Sequence, residues 1–89
     1  MANELTLIEV AEKHCLELKG RFPELPVLDS IGNQLAYLRE FMTGGEIDRD
    51  RLNSIIIGVQ TAREIEPLDM DAADSFYEVS EMVKSLPKA

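Results

Sequence analysis

The sequence predicts an all-α protein, a small four-helix bundle. Apolar residues recur at helical spacing in four segments, Gly or Pro residues separate those segments, and no segment shows sustained strand alternation. The chain has 89 residues, of which 45% are hydrophobic, which is enough for one modest core. We therefore expect a single helical domain over residues 1–89.

The first helix is predicted over residues 6–19. Thr6 and Glu9 have the spacing of a capping box, and Gly20 is a natural helix stop. The connection after it contains Pro23 and Pro26, which disfavour a helix and favour an extended link. Its apolar residues should pin it onto the bundle; they are Phe22, Leu25 and Val27.

The second helix is predicted over residues 28–43, capped by Asp29 or Ser30 and ended by Gly44 and Gly45. The expected buried face consists of Ile31, Leu35, Leu38 and Met42. A short turn leads into the third helix, which predicts an antiparallel hairpin of helices two and three.

The third helix is predicted as the central one, over residues 48–66, with Asp48 as N-cap and Pro67 as its stop. Its main apolar stripe is expected to be Leu52, Ile55, Ile56, Val59 and Ala62. Ile57 and Ile65 lie off that stripe, so several neighbours, or neighbours and a partner, should cover this helix. Gly58 in mid-helix predicts the close approach of another backbone.

The fourth helix is predicted over residues 70–85, with Asp69 as N-cap and Pro87 closing it. Its apolar side is expected to consist of Ala72, Phe76, Val79, Met82, Val83 and Leu86.

The composition limits the classes of partner. Seventeen acidic residues against nine Lys and Arg give a formal net charge of −8. This excess argues against nucleic acid and against an anionic membrane surface, both of which need basic residues. It favours a basic partner, a basic groove, or solubility alone. The single cysteine, Cys15, cannot form an intrachain disulfide, and no signal peptide or membrane-spanning run is evident, so we expect a cytoplasmic protein.

No motif predicts catalysis or a bound cofactor or metal. His14 and Cys15 are neighbours on a helix and point about 100° apart, which is a poor geometry for a nucleophilic pair. The run from Asp69 to Asp74 begins like a calcium loop, but it lacks the required Gly, and Ser80 stands where the bidentate Glu belongs. We expect no catalytic, cofactor-binding or metal-binding residues.

One acidic segment is a candidate for binding a partner. Five acids fall within eleven residues around the break between helices three and four, without a Lys or Arg among them. We call this set the acidic junction; it consists of Glu64, Glu66, Asp69, Asp71 and Asp74. It is either a solvated helix end or an electrostatic docking surface for a basic cleft. Tyr77 is the candidate exposed aromatic anchor beside it, whereas Phe76 is expected in the core.

Two polar residues lie at apolar faces. Arg63 falls close to the middle of the expected stripe of the third helix, and Gln34 lies at the edge of the second helix's buried face. Arg63 either snorkels past the end of the stripe or pairs with a carboxylate. Gln34 is either hydrogen-bonded inside the bundle or exposed toward a partner. A structural role is expected for both.

Several short motifs follow one another in collinear order over about two-thirds of the chain. They are Phe22-Pro23 with Val27-Leu28, the run from Gln34 to Arg39, Asp48-Arg49 with Leu52, Gly58, the neighbourhood of Glu64, and Asp69. In this order and spacing the chain resembles the small all-helical immunity proteins of bacterial type VI secretion that neutralise a secreted NAD(P)-glycohydrolase effector. It departs from that family in its Gly44-Gly45 turn and in a more acidic fourth helix.

The resemblance implies a protein that binds its cognate toxin domain in the cytoplasm of the producing cell and covers the dinucleotide-binding cleft. It implies no reaction, cofactor or metal of the chain's own. A cleft for a dinucleotide pyrophosphate tends to be electropositive, which suits an acidic partner. We expect contact through the acidic junction and Tyr77; the alternative is the side of helix two around Gln34, Tyr37 and Arg39.

The second hypothesis is a self-associating helical module or adaptor without a toxin partner. It would form a homodimer through the second apolar side of helix three, at Ile57, Gly58 and Ile65.

Overall fold

A computed structural model describes residues 3–45 and 49–86, and over these residues the chain is helical without a strand. Its elements are α1 (Glu4–Arg21), α2 (Pro26–Thr43), a 3₁₀ segment (Arg49–Ser54), α3 (Ile57–Gln60), a π segment (Thr61–Ile65) and α4 (Met70–Ser85). The predicted all-α bundle is thereby confirmed.

Helix α1 begins earlier and ends later than the spacing of Thr6 and Glu9 predicts. The N-cap is Asn3, whose Oδ1 accepts a hydrogen bond from the Thr6 N–H at 2.8 Å. The predicted capping box is therefore wrong, because Asn3 satisfies the amides of the first turn. Gly20 is within the helix, which ends at Arg21 because Pro23 disfavours helical geometry at Phe22.

Helix α2 begins at Pro26, inside the link that was expected to be extended. Proline suits the first position of a helix because the N–H that it lacks would have no partner there. Asp29 and Ser30 are thus beyond the cap position, and the N-cap is Leu25, without a side-chain hydrogen bond. Phe22 and Leu25 pack against the core as expected, and Val27 is buried within α2.

Gly44 ends α2, as predicted. Its backbone is left-handed, with φ of 86°, and the Gly45 N–H donates to the Glu40 carbonyl at 2.8 Å. This geometry favours glycine and satisfies a free carbonyl at the helix end. The predicted N-cap Asp48 and the closing residue Pro87 lie outside the described residues.

The central helix predicted over residues 48–66 is not continuous. The 3₁₀ segment ends at Ser54, Ile55 and Ile56 are not helical, and α3 begins at Ile57. Gln34 holds this break, because its Oε1 accepts from the Ile56 N–H at 2.7 Å. An unpaired amide at the break thereby gains a partner.

The pairing of α2 with the segment after it is antiparallel, as predicted. Gln34 contacts both Ile56 and Gln60, and Gln60 Nε2 donates to the Ser30 hydroxyl at 2.9 Å. Earlier along the chain, the guanidinium of Arg51 lies 4.4 Å from the ring centre of Tyr37. Residue numbers therefore rise along one segment as they fall along the other.

Because of the break, a different side of the third helix faces the core than the sequence predicts. Ile57, Thr61 and Ile65 are fully buried, whereas Ile56 and Val59, assigned to the core from the sequence, are 50% and 58% exposed. The predicted stripe assumed one uninterrupted helix in which Leu52 fixed the buried side. Since residues 55 and 56 interrupt it, Leu52 and the residues after Ile56 bury different faces.

Helix α4 is covered by α1 on one side and by α3 and the π segment on another. Phe76 and Val79 are fully buried, as predicted, whereas Leu86 is half-buried. A Cβ added at Gly58 would lie 2.6 Å from the Ser80 Oγ. The expected close approach at Gly58 is thus present, and it involves a side chain of α4 rather than a backbone.

Candidate partner-binding surface

Asp69 of the acidic junction has a structural role. Its Oδ1 accepts from the Ala72 N–H at 3.0 Å, which caps α4 as predicted, and its Oδ2 accepts from Arg21 Nη1 at 2.8 Å. The hydrogen bond from Ala72 and then that from Arg21 lower the pKa of Asp69 below its ordinary value. Arg21 comes from α1, so the pair ties the two helix ends together.

Glu66 and Tyr77 join the end of the π segment to α4. The Tyr77 hydroxyl donates to Glu66 Oε2 at 2.6 Å, and this hydrogen bond raises the pKa of Tyr77. The Tyr77 ring is half-buried and packs against the core cluster. The sequence indicated a more exposed aromatic, but the ring still lines the surface next to the acids.

Of the other three acids of the junction, two face solvent fully. Asp71 and Asp74 are exposed, and Glu64 is half-buried. Within residues 3–45 and 49–86, none of these three side chains forms an ion pair. Glu78 and Glu81 of α4 are exposed as well. This surface therefore carries negative charge that the described part of the chain leaves largely uncompensated.

The alternative set on α2 is engaged inside the bundle. Gln34 belongs to the amide network with Gln60, and the Tyr37 side chain is buried beneath Arg51. Arg39 donates from Nε and Nη2 to Glu12 Oε1 at 3.0 and 2.8 Å, which joins α2 to α1. The structure gives these residues packing roles, and their contact with a partner stays a prediction. Arg63 is exposed in the π segment and does not interrupt the buried face.

A groove of about 460 Å³ lies between α3 with the π segment and α4, and we call it the α3–α4 groove. One side carries Ile56, Val59 and Ala62, all exposed. The other side carries residues of α4; they are Tyr77, Ser80, Glu81 and Lys84. Sequence reasoning placed the apolar side of this groove in the core. The signal that could have found it was the presence of apolar residues on two sides of one helix.

Of the three residues that were candidates for self-association, only Gly58 lines this groove. Ile57 and Ile65 are fully buried against the bundle, because α4 covers that side of α3 and the π segment. These two side chains therefore do not form the apolar surface expected for a homodimer, and self-association itself stays a prediction.

The lone thiol belongs to the core. Cys15 is buried, its Sγ–H donates to the Leu28 carbonyl at 3.4 Å, and burial raises the pKa of the thiol. His14 is half-buried beside it. Over the described residues, no three His, Cys, Asp or Glu side chains are grouped so that they could hold a metal ion. None of the described helices combines the length and the low charge that a bilayer crossing demands.

These observations define a small all-helical protein whose distinctive surface is an apolar groove beside exposed carboxylates. The family model of Tsi6 matches residues 3–85. The chain therefore belongs to the Tsi6 family, a family of type VI secretion immunity proteins, whose members bind a toxin. Comparison with curated proteins and with solved structures gives no significant match.

Proposed function

We propose that this chain binds the toxin domain of a secreted NAD(P)-glycohydrolase effector and occludes its dinucleotide-binding cleft. It does so in the cytoplasm of the producing cell, without catalytic activity, cofactor or metal of its own. Membership of the Tsi6 family supports a toxin as the partner. The collinear motifs described above support a glycohydrolase as the kind of toxin.

The exposed carboxylates at the start of α4 are the observation that carries the proposal. Asp71 and Asp74 are exposed and form no ion pair within the described residues, and Glu78 extends their row. A cleft that binds a pyrophosphate tends to be electropositive. Carboxylates held on a rigid helix would attract such a cleft and align it.

The test first asks whether a reading frame next to this gene encodes a secreted toxin domain, and it then uses that domain. NAD(P) hydrolysis by that purified domain is measured while this chain is added. We expect hydrolysis to stop at a one-to-one ratio, because a covered cleft admits no dinucleotide. A toxin domain that hydrolyses NAD(P) while this chain is bound would contradict occlusion, and a domain without NAD(P) hydrolysis would contradict the toxin class.

A double variant should test whether the exposed charges act in binding the toxin and not in stabilising the fold. Asp71→Asn and Asp74→Asn remove two exposed charges and leave the Asp69 cap and the Glu66–Tyr77 hydrogen bond in place. We expect weaker inhibition at equal concentration. Glu17→Gln on α1 removes one charge from an exposed side chain elsewhere and should leave inhibition unchanged.

A further inference from the structure

Aliphatic side chains are left uncovered along one side of the α3–α4 groove. Ile56 is 50% exposed and Val59 is 58% exposed, and Ala62 is exposed three residues further on. Val59 and Ala62 lie about one turn apart on the helical stretch and Ile56 directly precedes it, so all three line the same side of the groove. Adjoining aliphatic groups kept in water are unfavourable, and such patches mark interaction sites.

A row of carboxylates borders this groove. Asp71, Asp74, Glu78 and Glu81 are spaced by three or four residues, so they share one side of α4, and all four are exposed. Glu81 also lines the groove itself. Lys84 lies 3.5 Å from Glu81 and compensates one charge at the far end of the row. The groove is therefore apolar on its α3 side, and on its α4 side Glu81, beside Lys84, connects it to the exposed carboxylates of the row.

We infer that the α3–α4 groove takes an aliphatic or aromatic side chain of the toxin domain, from a segment whose flanking Lys or Arg residues face the acidic row. This inference rests on the proposed function and adds the site on this chain and the chemistry of the segment it binds. The apolar side chain supplies buried contact, and the basic residues fix its orientation.

Charge decides between this occupant and a second copy of the chain. Two copies joined through the groove would bring their acidic rows close together, and each copy has a formal net charge of −8. Like charges opposed across an interface are destabilising. A basic segment meets the same row with opposite charge, so the groove favours a partner of different composition.

The test measures binding of the toxin domain encoded beside this gene to the double variant Ile56→Ser/Val59→Ser by calorimetry. Truncating two anchor contacts should weaken binding by at least about tenfold. The unfolding midpoint should stay close to that of the wild type, because both side chains are exposed. The matched control is Leu16→Ser on α1, where the side chain is 70% exposed and outside the groove, and it should bind like the wild type.

A charge reversal tests the basic flanks of the bound segment. Glu78→Lys should weaken binding by at least about tenfold, since it places a cation opposite the expected Lys or Arg. Glu17→Lys on α1 makes the same change outside the row and should leave the affinity unchanged.

Each outcome decides the question. Unchanged affinity of Ile56→Ser/Val59→Ser, with tight binding by the wild type, overturns the groove as the site and leaves the proposed function standing. Absence of binding by the wild type overturns both. A wild-type dimer in sedimentation that Ile56→Ser/Val59→Ser abolishes, without loss of toxin binding, would show that a second copy fills the groove.

Discussion

At the scale of single residues, several acidic and basic side chains join one helix to another. The Asp69 carboxylate caps α4 and also accepts a hydrogen bond from Arg21 of α1. The guanidinium of Arg39 in α2 donates two hydrogen bonds to the carboxylate of Glu12 in α1. Asp69 and Arg39 were candidates for contact with a partner when only the sequence was considered. Their geometry shows that a surface charge can be committed to the fold while its neighbours, such as Asp74, face solvent freely.

The capping carboxylate of Asp69 should make the stability of the fold depend on pH in the acid range. The pKa of Asp69 is lowered below the ordinary value of 3.8, so the ionised carboxylate stabilises the folded state fully above that pH. The contribution is lost as the pH falls through the lowered pKa. We expect Asp69→Asn, which keeps a capping oxygen, to flatten the fall in the urea midpoint below pH 3.8. Glu17→Gln should retain the wild-type dependence, and equal curves for Asp69→Asn and wild type would contradict this role.

Gly58 should resist substitution because of Ser80. Alanine is favoured over glycine within a helix by about 1 kcal/mol, but overpacking at a tight contact costs about 1–3 kcal/mol. The added Cβ would lie 2.6 Å from the Ser80 Oγ and 3.4 Å from its Cβ. We therefore expect Gly58→Ala to lower the free energy of unfolding in urea.

The matched double variant identifies the cause. Gly58→Ala in a Ser80→Ala background should cost less than it does in the wild type, because the nearest atom has been removed. Additive effects of the two substitutions would show that Ser80 is not what limits position 58.

At the scale of elements, the segment after α2 consists of three short helical pieces instead of one long helix. The 3₁₀ segment, α3 and the π segment together fill the length expected for a single helix. Within the π segment, the Glu66 N–H donates to the Thr61 carbonyl at 2.9 Å, and the Thr61 hydroxyl donates to the Ile57 carbonyl at 2.7 Å. Short helices of this kind depend on tertiary contacts, since nucleation is costly.

The amide of Gln34 should therefore stabilise the start of α3. It accepts from the Ile56 N–H and donates to Gln60 Oε1, both at 2.7 Å. Removing it in Gln34→Ala should lower the free energy of unfolding by about 0.5–1.5 kcal/mol, because both hydrogen bonds are lost at a site that is not fully buried. Amide exchange at Ile56 should accelerate more than exchange in α1.

A near-isosteric variant separates the two hydrogen bonds. Gln34→Glu keeps an acceptor for the Ile56 N–H and loses the donor to Gln60, so its exchange rate at Ile56 should lie between those of the wild type and Gln34→Ala. If amide exchange at Ile56 is as slow in both variants as in the wild type, the break is held by packing alone.

At the scale of the whole molecule, charge and apolar surface meet on one side. The net charge of −8 is a property of the composition, but the fold brings part of it beside the α3–α4 groove. The α1–α2 side has internal ion pairs instead, between Lys19 and Asp29 and between Arg39 and Glu12. This asymmetry gives a partner one preferred direction of approach.

Association with the toxin domain should accordingly depend on salt. We expect the wild-type association rate to fall steeply as ionic strength rises, because dissolved ions screen the attraction between the acidic row and a basic partner. Asp71→Asn/Asp74→Asn/Glu78→Gln should lower the rate at low salt by at least about tenfold and flatten its salt dependence. Stopped-flow mixing would measure both rates, and an unchanged low-salt rate would remove steering by this row.

The sequence by itself determined the helical class and most of the core. The apolar spacing of α2 and α4 identified buried residues such as Leu35 and Phe76, and Gly44 and Asp69 marked helix ends that the structure confirms. These features are local, since spacing and caps act within a few turns.

Only the tertiary structure decided which side of the third helix faces the core. Apolar residues occur on two sides of that stretch, so helical spacing fits either orientation. The break at Ile55 and Ile56, held by Gln34 from another helix, buries Ile57 and Ile65 and turns Val59 outward. The candidate groove thus depends on a long-range hydrogen bond and on packing against α4, neither of which local spacing encodes.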